Sequence, residues 1–340
     1  MAEKKTAAKS EAEKLKEALC LTPKNAGILL TDEELEAGDL FCEGYKKFLD
    51  LAKTEREAVE ITIEMAREKG FTAFDPSKTY QPGDRVYLNN RGKALILCTI
   101  GSEPIENGIR IVAAHVDSPR LDLKPRPLYE EAQFALFKTH YYGGIKKYQW
   151  TAIPLALHGV VVRADGEKIS VIIGEDEGDP VFTVTDLLPH LAAEQMSRKA
   201  PDIIKGEALN VLVGGRMFRD DKASERVKLA ILKLLNEKYG FVEADFLSAE
   251  LTMVPAFHAS DVGLDRSFIG AYGHDDRVCA YTAVMAALGE AAPTRTMVTV
   301  LADKEEIGSE GNTGLNSRFL RFFIDDLSAC FGREGRHVLT

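Results

Sequence analysis

Apolar residues recur at helical spacing between Asp32 and Lys69: Leu35, Leu40, Phe41, Tyr45, Phe48, Leu49, Val59, Ile61, Ile63 and Met65. The pattern predicts a helical region closed by Gly70 as its C-cap. Past a turn at Pro82-Gly83-Asp84 the period shortens, and segments 85–88, 94–100 and 110–114 read as strands. The last two are almost entirely apolar, as expected of central strands covered on both faces.

After Pro119 the pattern shifts again. Lys124-Pro125-Arg126-Pro127 predicts a break in regular structure. Segments 155–164 and 167–173 flank Asp165-Gly166, which predicts a β-hairpin. Residues 224–239 form an amphipathic helix pattern, with Ser224 placed as N-cap and Gly240 as C-cap. From about 250 the strand pattern returns, followed by a helix over 277–288 and a strand over 296–301. The expected architecture is α/β. Residues 1–120 and 248–340 make one domain, with 1–20 as a polar arm, and a β-rich insert occupies 121–247.

Composition narrows the function. The chain has 340 residues, enough for two domains with their own cores. Its net charge is −10, which argues against a nucleic-acid partner held through phosphates. The five cysteines are scattered with no CxxC pair, so the expectation is a reducing cytoplasm and no disulfide framework. Met1-Ala2-Glu3-Lys4-Lys5 opens without an apolar core, unlike a signal peptide. Apolar windows such as 278–288 fall short of the roughly 20 residues that span a bilayer, so no membrane is expected.

Three polar clusters stand at the edges of these elements. His115-Val116-Asp117 follows Ile111-Val112-Ala113-Ala114; His274-Asp275-Asp276 precedes the apolar helix; Glu305-Glu306 follow Met297-Val298-Thr299-Val300-Leu301 through Ala302-Asp303-Lys304. Singly, each has an ordinary reading. A strand-end histidine usually lies at the surface, an acidic pair is usually solvated, and one of Asp275 and Asp276 is expected to cap the helix. Together they offer the imidazole and carboxylate mixture that divalent metals take, with carboxylates to spare for bridging. Adjacent glutamates diverge, so one can bind metal while the other acts as general base. HExxH, GxSxG and phosphate-loop patterns are absent from the sequence.

These residues resemble the M18 metallo-aminopeptidases, the aspartyl aminopeptidase and aminopeptidase I group. The similarity runs over about residues 30–340 and rests on His115-Val116-Asp117-Ser118-Pro119, Tyr142-Gly143-Gly144, Pro189-His190-Leu191-Ala192, Asp275-Asp276-Arg277 and Glu305-Glu306-Ile307-Gly308-Ser309. The resemblance implies a di-metal exopeptidase of three-layer α/β/α form, interrupted by a smaller β-rich dimerisation domain, with dimers assembling into dodecamers. It implies His115 as ligand of one metal with Asp117 behind it, Asp275 as the bridge, Glu306 as ligand of the other metal and Glu305 as general base. His190 would reach a neighbouring protomer's site and contact substrate. The implied metals are two divalent ions, zinc foremost, with cobalt or manganese as alternatives. The implied substrates are peptides, with acidic N-terminal residues favoured.

Family members continue past the end of this chain, and the resemblance assigns to that stretch one further Asp ligand and one His ligand. The expectation is therefore a C-terminally shortened member with two ligands per metal, His115 and Asp275, then Asp275 and Glu306. Asp325, Asp326 and His337 match neither missing motif. Weak activity is expected, with Leu320, Phe322, Phe323 and Leu327 less well covered. The alternative expectation is a non-catalytic, metal-poor assembly subunit of the same fold.

Overall fold

The computed structural model describes residues 9–339. They fall into two compact units, one ending at Gly44 and one beginning at Tyr45. The first holds the helices α1 (Glu11–Leu19) and α2 (Ala26–Leu29) and the start of α3 (Asp32–Leu51). A capping box between Ser10 and Glu13 starts α1, which buries none of its residues. The expected polar arm is thus helical from Glu11, and residues 1–8 lie outside the described ones.

The long helical pattern divides within the second unit. A break at 52–54 separates α3 from α4 (Glu55–Glu68). Thr54 causes it. Its hydroxyl accepts the Glu57 N–H, and the Glu57 carboxylate accepts the Thr54 N–H at 2.9 Å. Gly70, at φ +84°, ends the second helix without the penalty a side chain would incur.

Helices then cover both faces of a five-stranded sheet. Its strands are β1 (Thr72–Ala73), β2 (Arg85–Asn90), β3 (Ala94–Thr99), β4 (Arg110–His115) and β14 (Met297–Ala302), in the order β1-β2-β3-β14-β4. On one face Leu95, Leu97 and Leu301 pack with Phe48, Val59 and Ile63 of α3 and α4, and with Tyr281 and Val284 of α7 (His274–Gly289). On the other, Ile96, Val298 and Val300 pack with Phe323, Ile324 and Leu327 of α8 (Phe319–Cys330). Each fully buried side chain of this size contributes roughly 1.5–3 kcal/mol. This is the expected three-layer α/β/α arrangement.

Two expectations are corrected here. β3 is buried along its length, but β4 is an edge strand that among the described residues pairs with β14 alone, leaving Ile111 46% and Val112 42% exposed. Phe323 and Leu327, expected to lack cover, are buried in the core; Phe322 is the exposed one.

A seven-stranded sheet follows in the chain. It comprises β5 (Arg120–Glu131), β6 (Phe134–Tyr142), β7 (Leu155–Val162), β8 (Lys168–Ile173), β9 (Thr183–Val184), β10 (Val211–Gly214) and β11 (Glu250–Pro255). The order is β8-β7-β11-β5-β6-β10-β9. Its core gathers Phe137, Leu155, Leu157, Phe241 and Phe246. The expected hairpin forms between β7 and β8, with Gly166 at φ +87° in the turn. The two prolines do not end β5; the strand runs through them, and its register against β6 shifts between Leu123 and Leu128. The helix α6 (Arg226–Tyr239) ends at Gly240 as expected, but its N-terminus is capped from elsewhere. Glu130 of β5 accepts the N–H groups of Val227 at 2.8 Å and Lys228 at 3.1 Å, in place of Ser224. β11 lies past residue 247 and pairs with both β5 and β7. Short elements complete the chain: α5 (Ala193–Met196), α9 (Arg336–Leu339) and a ribbon of β12 (Ser260–Val262) with β13 (Phe268–Gly270).

Candidate metal centre

Strand pairing brings two of the three polar clusters together. β4 and β14 run parallel, with Ala302 opposite His115, so the chain leaves both at the same end of the sheet. There His115-Val116-Asp117 lies beside Asp303-Lys304-Glu305-Glu306. Lys304 at φ +68° and Gly308 at φ +96° bracket a single 3-10 turn, Glu305–Ile307. The third cluster arrives on the first residues of α7, where Asp275 and Asp276 are joined by a cis peptide and depart from helical geometry. Asp276 Oδ1 accepts the Cys279 N–H at 3.3 Å, the capping role expected of one of the pair. The Asp275 side chain is left free to face His115.

His115 is the hub. Its Nε2 lies 3.2 Å from Asp275 Oδ1, 3.6 Å from Glu305 Oε2 and 3.9 Å from Asp276 Oδ2. One ligand atom each from His115, Asp275 and Asp276 falls within a 4.8 Å spread. Its other nitrogen, Nδ1, lies 3.1 Å from Asp117 Oδ1. Asp117 is fully buried behind the imidazole and also accepts the N–H groups of Glu305 at 3.2 Å and Glu306 at 3.1 Å. Below the site, Arg277 is buried, donates Nε–H to the Ala52 carbonyl at 3.1 Å, and donates through Nη1 to Ser118 Oγ. Ser118 in turn donates to the Asp275 carbonyl.

Electrostatics favour a cation at this point. Burial opposes protonation of His115, yet Asp117, Asp276 and Glu305 outweigh it and raise its pKa to about 9. Burial raises the Glu306 carboxyl, and the negative charges of Asp275 and Asp117 add to the rise. Burial likewise works upward on Asp117, but hydrogen bonds from His115 and Tyr142 prevail and hold it below the ordinary value. Among the described residues, His115 is the base within ion-pair reach of Asp275, Asp276 and Glu305. Converging carboxylates around one imidazole nitrogen suit a divalent metal of the borderline class in donor type and in charge.

Not every sequence candidate joins the cluster. Glu306 lies half-buried to one side of it, its carboxylate against Gly143. His190 sits exposed in the 185–192 segment and is not among the residues gathered around His115. Asp325 pairs with Arg321 one turn away in α8, and the His337 side chain lies outside the described residues. Two contributors carried no assigned role. Asp276 supplies a third ligand atom, for which its place beside Asp275 was the signal. Tyr142 donates to Asp117 Oδ2 at 2.7 Å, a contact no spacing could disclose.

Among the described residues, no helix is long and apolar enough to cross a membrane. The family described as Aminopeptidase I zinc metalloprotease (M18) matches residues 48–339. A Clostridium acetobutylicum protein called probable M18 family aminopeptidase 1 is 47% identical over 313 residues, 91% of this chain and 67% of that one. The crystal structure of the M18 aminopeptidase of Thermotoga maritima superposes with a TM-score of 0.85 at 45% identity, over 94% of this chain and 69% of that one. A structure described as the S. cerevisiae mApe1 dodecamer shares the fold, with a TM-score of 0.66 at 19% identity over 87% of this chain and 67% of that one. The chain thus spans about two thirds of the length of the proteins it matches. With the three polar motifs gathered at one end of the five-stranded sheet, and the match running through all of them, this chain belongs to the M18 family of zinc metallo-aminopeptidases.

Proposed function

We propose that the protein removes N-terminal residues from peptides in a site that holds two divalent metals, zinc foremost. His115 and Asp275 would hold one ion and Asp275 and Glu306 the other, with Asp275 shared and Asp276 an additional donor. Such metals, when bound, polarise the scissile carbonyl and make water acidic enough to attack near neutral pH. Asp117 fixes the ring of His115 so that Nε2 faces the acids, which sets both its tautomer and its direction. Glu305 is exposed, close to Nε2, and anchored through its own N–H to Asp117. Its carboxylate is placed to take the proton of the attacking water and pass it to the leaving amine.

The finer reading takes acidic N-terminal residues as preferred substrates. It also has the β-rich insert of about 121–247 drive self-assembly, as dimers and then a dodecamer. His190 is proposed to enter a neighbouring copy's site and contact substrate. Exposed Leu187, Leu188 and Leu191 beside it support that placement, since a soluble face gains nothing from a run of leucines. A cytoplasmic setting belongs to the same reading, supported by five scattered cysteines with no CxxC pair in the sequence.

The observation that carries the reading is the convergence of Asp275, Asp276 and Glu305 on His115 Nε2. Metal analysis with a panel of aminoacyl-anilides tests it. About two equivalents of zinc and metal-dependent release of the anilide are expected. Near-zero metal would favour an assembly subunit without catalysis.

A further inference from the structure

The insert enters the metal centre through three consecutive residues at the end of β6. Tyr142 is buried, and its hydroxyl donates to Asp117 Oδ2 at 2.7 Å. That carboxylate also faces His115 and holds the N–H groups of Glu305 and Glu306. One buried group therefore sets the imidazole and the turn that carries both glutamates. Tyr142 is itself fixed. The Arg120 guanidinium lies over its ring at 4.1 Å, and Arg120 is paired with Glu55 at 2.9 Å and Asp122 at 2.7 Å. The next two residues meet the other glutamate. Gly143 adopts φ +74°, and a Cβ there would come within 2.7 Å of Glu306 Oε2. The backbone of Gly144 hydrogen-bonds the Glu306 carboxylate.

We propose that Tyr142-Gly143-Gly144 is a positioning element of the metal centre, so that the insert shapes the site as well as any assembly. Tyr142 acts through Asp117 on His115, and Gly143 leaves the room in which the Glu306 carboxylate lies. The inference rests on the metal-binding reading above. Groups hydrogen-bonded to metal ligands, as Asp117 is to His115, commonly alter affinity 10–100-fold when removed, and Tyr142 acts on that group from one hydrogen bond further out, so the low end of the range applies.

The test measures the zinc dissociation constant of the full chain by competition with a chromogenic chelator, alongside thermal melting and light scattering. Tyr142→Phe keeps the ring under Arg120 and removes one oxygen; well below its melting temperature, which the lost buried hydrogen bond should lower modestly, zinc should bind roughly tenfold more weakly, with assembly unchanged. Gly143→Ala, which intrudes on Glu306, should lose at least as much. Tyr141→Phe is the control. It loses the same hydroxyl one residue away, on the opposite face of the strand, where the ring stacks on His140 at 5.6 Å. Its zinc affinity should match the parent chain.

Wild-type affinity in Tyr142→Phe, or an equal loss in Tyr141→Phe, overturns the inference while the metal reading stands. A loss of zinc that merely follows a lower melting temperature overturns it too. A parent chain that takes up no zinc overturns the metal reading and this inference with it.

Discussion

Ala302 stands directly opposite His115 across the parallel ladder of β14 and β4. From that one register, Glu305 lands three residues beyond the strand end with its carboxylate 3.6 Å from the imidazole. Because successive side chains in a strand alternate faces, a slip of one residue would turn His115 away from the acids. The candidate site is thus a consequence of pairing between segments far apart in the chain.

Under the roles proposed above, the two acids nearest Nε2 should behave differently. Glu305→Gln removes a base, so anilide turnover should fall by about 10²-fold or more with zinc content near that of the parent. Asp275→Asn removes the shared ligand, so zinc content itself should fall. Metal analysis of the two purified variants checks the assignment; equal zinc loss in both would reverse it.

A buried ion network should make stability depend on pH away from the metal centre. His158 of β7 is buried and lies 2.7 Å from Glu57 and 2.9 Å from Glu175, which also pairs with Lys53 at 3.0 Å. Burial disfavours its charge, but the two carboxylates overcome this and raise its pKa to about 9. A raised histidine pKa stabilises the fold fully below its unfolded value of about 6.5, and the contribution fades as pH climbs through the folded value. Melting temperature should therefore drop between about pH 6.5 and 9. His115 rises to a similar value, so the comparison with His158→Gln isolates this network. The variant should melt lower at pH 6.5 and show a shallower decline. An unchanged slope would sink the argument.

The open edge of β4 should promote association. Ile111 and Val112 expose apolar side chains along unpaired backbone, a template for pairing with another strand. Val112→Lys should reduce large particles in dynamic light scattering, with melting changed by less than about 1 kcal/mol in stability, typical of surface positions. No change in particle size would show the edge to be inert.

If the exposed segment around His190 meets another copy, polar substitutions there should weaken assembly. Leu188→Asp with Leu191→Asp places two charges where the side chains are 64% and 71% exposed, so the isolated fold should tolerate them. Multi-angle light scattering should show smaller species than the parent chain. Retention of the parent mass would place the interface elsewhere.

Local signals were readable where local forces decide. Gly70 and Gly240 end helices because their positive φ is free of side-chain strain, and Asp165-Gly166 turns the β7–β8 hairpin for the same reason. The almost entirely apolar run of β3 gave away its central place. The apolar residues 111–114 of β4 did not give away its edge position, because apolarity records what a strand can cover, not how many neighbours it has. The two prolines of β5 suggested a break, but pairing with β6 before and after them, at Arg120–Leu123 and Leu128–Glu131, carries the strand past. The cap of α6 came from Glu130, a residue remote in sequence, and outweighed the adjacent Ser224.

The sequence by itself determined the chemistry on offer: imidazole and carboxylates at the ends of strands and at the head of a helix. Composition and motif spacing are properties of the chain, and the covalent order preserves them. The tertiary structure alone decided which groups meet. It brought Asp275 and Asp276 onto His115, turned Glu306 toward Gly143, and drew Tyr142 from the insert onto Asp117. Those contacts follow from strand register and from burial of Asp117, where a charged carboxylate must find donors wherever the fold can supply them.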